Sequence, residues 1–206
     1  MDIKHLIKWN YYYNKIWKYV SWWYDKIDLH ILDFVNNYNI NFWDNVLDVW
    51  CWYWKNTLIF LERWMYYTWI DISKIAIYDA KNKYKSWTFI LWDFLDYDFK
   101  YLRYSFIIDA WCIHVNHPDK INLFLEKYYN LLENNGKLFI RIFKSLIDTK
   151  EPLFYVDKLL PVWGYTEEKI KIHIYKNNFV IDKFILDEDY YTEDDVFYLY
   201  LIKKKT

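Results

Sequence analysis

Four short apolar runs, each closing on or beside an aspartate, constrain this chain more than any other feature. They read NVLDV around Asp48, MYYTWID to Asp71, TFILWD to Asp93 and SFIID to Asp109. With amphipathic stretches between them, they make the β-α-β pattern of a parallel sheet covered on both faces by helices. The spacing predicts strands at Asn45–Val49, Met65–Ile70, Thr88–Leu91, Phe106–Asp109 and Lys137–Phe143, with helices over 55–63, 73–84 and 118–133. Ser73 is the expected N-cap of the second helix. In an open parallel sheet the ligand lies at the carboxyl ends of the strands, where all four aspartates fall.

The flanks differ in character. Residues 1–42 carry apolar side chains at helical spacing, as in Ile16, Tyr19, Val20, Trp23 and Ile27, Ile31, Phe34, Val35, which predicts two helices before the first strand. Residues 144–165, with Pro152, Pro161 and Gly164, read as a loop able to cover a pocket. Thr166 followed by Glu167 and Glu168 starts a helix. Phe179–Leu186 and Val196–Lys203 are two strands joined by the acidic connection Asp187, Glu188, Asp189, Glu193, Asp194 and Asp195, which predicts an antiparallel hairpin at a sheet edge. At 206 residues one α/β domain is expected, with 1–42 as N-terminal helices, 43–143 as the core and 144–206 as lid segment and hairpin.

Bulk properties remove several classes of function. A net charge of -1, without a long block of like charge, argues against nucleic acid as partner. No apolar window is long enough for a membrane span, and the first fifteen residues lack the apolar centre of a signal peptide. Cys51 and Cys112 read as free thiols in a reducing compartment, so a cytoplasmic monomer is expected. No His, Cys, Asp or Glu cluster has metal-ligand spacing.

Tryptophan usage is the second unusual feature. The chain holds fourteen tryptophans and two glycines, whereas a globular chain is roughly 7% glycine. Residues 46–56 read VLDVWCWYWKN, with Trp50, Trp52 and Trp54 at alternate positions after the first strand. Trp69 precedes Ile70-Asp71-Ile72, Trp92 precedes Asp93-Phe94, and Trp111 follows Asp109-Ala110.

With glycine at those three alternate positions the segment becomes VLDVGCGYGKN, which resembles the cofactor loop of class I S-adenosylmethionine-dependent methyltransferases. That family commonly has glycine at positions matching Trp69, Trp92 and Trp111 as well. Asn135-Gly136 resembles the turn before the family's fifth strand. The composition, rich in Lys, Asn, Ile and Tyr, fits an AT-rich gene, and the pattern reads as UGA codons meant for glycine and translated as tryptophan. The resemblance covers residues 43–143 well and the tail loosely.

The resemblance implies a three-layer Rossmann-like sheet of about seven strands, mostly parallel, ending in an antiparallel hairpin. It implies S-adenosyl-L-methionine as cofactor. The methionine portion would meet the loop of Trp50, Cys51, Trp52 and Trp54 beside Asp48, and Asp71 with Ile72 would meet the ribose. Asp93 and Phe94 would meet adenine, and Asp109 closes the set. Alternate glycine spacing fits this family better than the dinucleotide pattern G-x-G-x-x-G, whose third glycine would fall on Lys55. Asp109 to His114 reads DAWCIH, which with glycine at Trp111 is similar to a small-molecule, thiopurine-methyltransferase-like subgroup, and it lacks the N-P-P-[YF] of base methylases. His114 is a candidate general base, though a loop histidine more often serves packing. Two other readings stand beside this one: a nicotinamide-dependent oxidoreductase, and a Trp-rich binding module whose exposed indoles gather on one surface.

Overall fold

The computed structural model describes residues 28–40, 43–49, 59–60, 65–85, 87–156, 160–188 and 195–204. The first N-terminal helix, the loop with Trp50, Cys51, Trp52 and Trp54, and most of the expected helix at 55–63 lie outside those residues. Within that helix Ile59 and Phe60 are described, both helical and buried. The chain divides into two compact units, Met1–Lys100 and Tyr101–Thr206.

In the first unit, helix α1 (Leu29–Asn37) begins because the Asp28 carboxylate accepts from the backbone N–H of His30 at 2.9 Å and Ile31 at 3.3 Å. It buries Ile31, Phe34 and Val35, one stripe at helical spacing. It ends where Asn39 takes φ 50° and the Ile40 N–H returns to the Val35 carbonyl at 3.0 Å. Strands β1 (Asn45–Val49), β2 (Tyr66–Asp71) and β3 (Thr88–Leu91) are parallel in the order β3-β2-β1. Helix α2 (Lys74–Lys83) crosses from β2 to β3, capped as expected by Ser73, whose hydroxyl accepts from the Ala76 N–H. Trp69 is fully buried in β2, with ring centres of Tyr67, Tyr84, Trp87 and Phe89 within 5.8 Å.

In the second unit, β4 (Tyr104–Asp109) runs parallel to β5 (Leu132–Lys144), joined by two short 3-10 turns and helix α3 (Ile121–Leu131). The expected helix at 118–133 thus starts later, because Pro118–Lys120 forms a 3-10 turn before it. Strand β5 begins earlier than expected, with a bulge in which Tyr104 and Phe106 face Leu132 and Lys137 and Asn135 takes φ 62°.

Residues 144–165 are not the open loop the prolines and glycine predict. They hold an antiparallel pair, β6 (Phe154–Val156) and β7 (Leu160–Val162), then β8 (Gly164–Tyr165) parallel to the end of β5. Pro161 sits within β7 of this two-stranded pair, where a missing N–H is tolerated.

Helix α4 (Glu167–Lys176), N-capped by Thr166, leads to β9 (Phe179–Glu188) and β10 (Asp195–Lys203). Those strands form the expected hairpin, and they extend into the acidic connection: Asp187, Glu188 and Asp195 are paired strand residues. Strand β10 lies between β5 and β9 and is antiparallel to both. Central β5 and β10 are buried on both faces while β9 leaves Val180 and Leu186 exposed, as an edge strand does. The whole is a Rossmann-like α/β architecture with mostly parallel strands and a C-terminal antiparallel hairpin. No helix among the described residues is long and apolar enough to cross a membrane.

Candidate functional site

In the first unit, the parallel register brings three of the predicted aspartates to the carboxyl ends of adjacent strands. Asp48 is buried in β1 and accepts a 2.7 Å hydrogen bond from the Tyr67 hydroxyl on the neighbouring strand. Asp71, buried at the end of β2, accepts from the Ser73 N–H at 2.7 Å, so its carboxylate faces the start of α2. Ile72 beside it is buried. Asp93 follows β3 and accepts from the Leu95 N–H at 2.9 Å, an Asx turn that fixes the chain leaving the strand. Phe94 turns inward, its ring 5.7 Å from Phe99. Trp92 is half exposed, and its N–H donates to the Asp71 carbonyl at 3.0 Å, tying the ends of β2 and β3.

In the second unit, Asp109 is wholly buried at the end of β4. One oxygen accepts from the Cys112 N–H at 2.6 Å; the other accepts from the Ile113 N–H at 3.2 Å and the Tyr128 hydroxyl at 2.6 Å. Burial raises its pKa from 3.8 to about 6, against the lowering effect of these donors. Burial and the Asp109 charge together hold the Tyr128 phenol protonated. Both oxygens therefore shape the Ala110–Val115 turn, making Asp109 a residue that sets the turn rather than one turned outward.

That turn presents His114, also wholly buried. Its Nδ1 lies 3.2 Å from the Arg141 carbonyl oxygen. A carbonyl can only accept, so Nδ1 carries the proton and Nε2 the lone pair. Nε2 is buried with no hydrogen-bond partner among the described residues. Burial and the Arg141 charge push the imidazole pKa well below its ordinary value, so the ring is neutral at pH 7. The Arg141 guanidinium, buried in β5, donates to the Ala110 carbonyl and lies 4.3 Å from the Trp111 ring centre and 4.8 Å from that of Phe143. Cys112 is buried, its sulfur 3.9 Å from the Asn116 side-chain nitrogen.

Asp109 and His114 are legible in the sequence, whereas Arg141 and Tyr128 are not singled out there. Arg141 did leave a signal: it is the single charge inside the apolar run LFIRIF. Tyr128 left none, being one aromatic among many on α3. Among the described residues no group of three His, Cys, Asp or Glu side chains is placed to hold a metal.

No protein-family profile and no curated protein sequence matches the chain. Solved structures do. The chain is similar to 1,6-didemethyltoxoflavin-N1-methyltransferase of Burkholderia thailandensis, crystallised with 1,6-didemethyltoxoflavin and S-adenosylhomocysteine, with TM-score 0.76, 16% identity, and 98% of this chain and 89% of that one covered. It is similar to a SAM-dependent methyltransferase of Methanosarcina mazei at TM-score 0.72 and 15% identity, covering 84% and 98%. The [4+2]-cyclase SpnF shares the fold at TM-score 0.68 and 10% identity, covering 85% and 80%. The fold is thus that of SAM-dependent methyltransferases, and one structure with this fold is a cyclase.

Proposed function

We propose that residues 1–206 work as a single S-adenosylmethionine-dependent methyltransferase domain acting on a small-molecule acceptor. The observation that carries the reading is the row of aspartates at successive parallel strand ends, in a fold shared with methyltransferases crystallised with SAM or S-adenosylhomocysteine. The donor chemistry fits the cofactor. A carboxylate such as Asp71 offers acceptors to two vicinal ribose hydroxyls, and Asp93 with Phe94 offers an acceptor for an exocyclic amine and a ring for a base. Asp48 lies near the end of β1, two residues before Trp50 in the sequence. When bound, the sulfonium supplies an activated methyl group. The protein's own part is orientation; His114, its Nε2 without a partner among the described residues, is the candidate general base, and its lowered pKa makes it a weak one.

The tryptophans at 43, 50, 52, 54, 64, 69, 87, 92 and 111 stand, in this reading, at glycine positions encoded by UGA. Trp43 supports it: among the described residues it is the one tryptophan at positive φ, 83°, where a side chain is disfavoured. The DAWCIH segment, similar to the thiopurine-methyltransferase-like subgroup, and the absence of N-P-P-[YF] favour a small acceptor over nucleic acid. A Trp-rich binding surface is not favoured, since Trp69, Trp111 and Trp163 are buried.

Calorimetry tests the cofactor. The chain carrying Trp50→Gly, Trp52→Gly and Trp54→Gly should bind S-adenosylmethionine far better than the unmodified chain, and Asp71→Ala should then weaken it about tenfold, roughly 1.4 kcal/mol. The substituted protein should form S-adenosylhomocysteine with metabolite pools and not with DNA or RNA. No binding after the three substitutions, or turnover on nucleic acid alone, overturns the reading. Sequencing the gene tests the codon assignment, with UGG at the motif positions as the refuting result.

A further inference from the structure

The polarity of edge strand β9 reads alike in both directions. From Phe179 to Leu186 it runs FVID then KFIL, three apolar residues and an acid mirrored by a base and three apolar residues. One side of the strand pairs with β10, and no described strand lies on the other. An edge of ten residues presents a row of backbone donors and acceptors to which another chain can pair. Apolar side chains accompany it: Val180 is 41% and Leu186 50% exposed. Helix α4 packs beside them, its Lys171 ammonium 4.6 Å from the Phe184 ring centre, and Tyr175 one turn further on is 54% exposed. Charges and bulges commonly blunt such an edge. Here Asp182, Lys183 and the bulge between them and Ile181 specify a partner instead.

We propose that this edge is the interface of a homodimer, in which β9 of two copies pair antiparallel about a two-fold axis beside the Asp182-Lys183 step. A two-fold axis makes the contact isologous, so residue i of one copy meets j of the other while j meets i. Centred there, Phe179 opposes Leu186, Val180 opposes Ile185 and Ile181 opposes Phe184, each pair occurring twice. Asp182 of each copy opposes Lys183 of the other. Slipping by two residues sets Lys183 against Val180, or Asp182 against Ile185. Residues directly opposed in an antiparallel pair share a face of the sheet. In an unbroken strand Phe179 and Leu186, an odd number of residues apart, would point to opposite faces and forbid this register. The bulge removes the conflict. Pairing with β10 passes from Lys183 at Tyr200 directly to Ile181 at Leu201, leaving one extra residue in β9. Phe179, Ile181, Phe184 and Leu186 consequently pair with alternate residues of β10 and share one face, while Val180 and Ile185 share the other. Every apolar pair in the proposed register then meets on a common face. The contact closes on itself, which ends assembly at two copies. A dimer departs from the monomer expected of the sequence, and it does not depend on the methyltransferase reading.

Sedimentation of the unmodified protein at micromolar concentrations should give twice the chain mass and no larger species. Asp182→Lys and Lys183→Asp each set like charges face to face across the axis, and each should weaken dimerisation at least tenfold. Both residues also act within their own chain, Lys183 lying 5.2 Å from the Tyr200 ring centre and Asp182 acting on Lys137. A single loss therefore has a second, purely structural explanation. Mixing the two variants separates the explanations, because opposite charges meet again in the mixed pair while neither intrachain contact is restored. The mixture should form a heterodimer with near-parental affinity although neither variant pairs with itself. A single-chain mass throughout the micromolar range, a dimer that both variants retain, or a mixture of folded variants that stays monomeric overturns the proposal, as does open-ended growth. Independently of any variant, amide exchange over residues 179–186 of the unmodified protein should slow as its concentration rises. Exchange that ignores concentration would overturn the proposal as well.

Discussion

Replacing Asp109 with asparagine should change how the protein's stability depends on pH more than any other single substitution at the end of β4. Its carboxyl titrates at about 6 rather than 3.8 because ionisation is opposed by burial. At 1.36 kcal/mol per pH unit, the interval from 3.8 to about 6 corresponds to roughly 3 kcal/mol. The folded state holds this proton more tightly than the unfolded chain does. The resulting stabilisation is therefore complete below pH 3.8, declines as the pH rises, and is gone above about pH 6. Asp109→Asn removes the titration while keeping an oxygen for the Cys112 N–H. Its amide donates to the Tyr128 hydroxyl, which rotates to accept. Losing the 3.2 Å bond from Ile113 shifts the variant's stability by an amount that does not vary with pH. Urea unfolding of both proteins between pH 4 and pH 7 gives the assay. The stability of the variant minus that of the parent should rise by up to roughly 3 kcal/mol over that range. Groups such as Asp119, whose pKa is lowered by its bond to Lys150, titrate alike in both proteins and cancel in the difference. A difference that stays flat, or falls with rising pH, would refute the reasoning.

Two further outcomes follow from backbone geometry. Gly164→Ala would place a Cβ 2.1 Å from a Leu153 methyl and 3.1 Å from the Lys144 carbonyl carbon and oxygen, so it should cost about 1–3 kcal/mol in urea unfolding. Part of that cost should vanish when Leu153→Ala is already present, because the methyl can yield and the Lys144 backbone cannot. Trp43→Gly relieves a bulky residue at φ 83° on an exposed turn and should raise stability by about 1 kcal/mol, read as a higher thermal midpoint; a lower midpoint would mean the Tyr66 ring contact outweighs the strain.

Where apolar runs were short and bounded, the strand ends were legible: Asn45–Val49 and Thr88–Leu91 match the observed strands residue for residue. Ser73 and Thr166 were legible as caps because their chemistry is local. What escaped was tertiary. The β6–β7 pair and β8 arise where β5 continues beyond the end of β4 and takes β8 at Phe143 and Lys144, a pairing that Pro152, Pro161 and Gly164 do not announce. The acidic connection read as loop because carboxylates are poor strand formers, yet cross-strand pairing with β10 carries Asp187 and Glu188 into the ladder. At the candidate site, the sequence pointed to aspartates at strand ends and to His114. That Asp109 turns back on its own loop, and that Arg141 stands over Trp111, depended on packing between α3, β4 and β5 that no local pattern encodes.

The place of β10 has a consequence for how the second unit is made. Strand β9 is synthesised first, but among the described strands its neighbour in the sheet is β10 alone, and the edge of β5 that β10 covers is bare until then. A ribosome that has just emitted Glu188 therefore displays two open ladders, one from Lys137 to Phe143 and one along β9, each able to recruit a stray strand. The arrival of residues 195–203 closes both at once. Slow translation or a cut between the two strands should accordingly produce aggregation rather than a smaller soluble sheet.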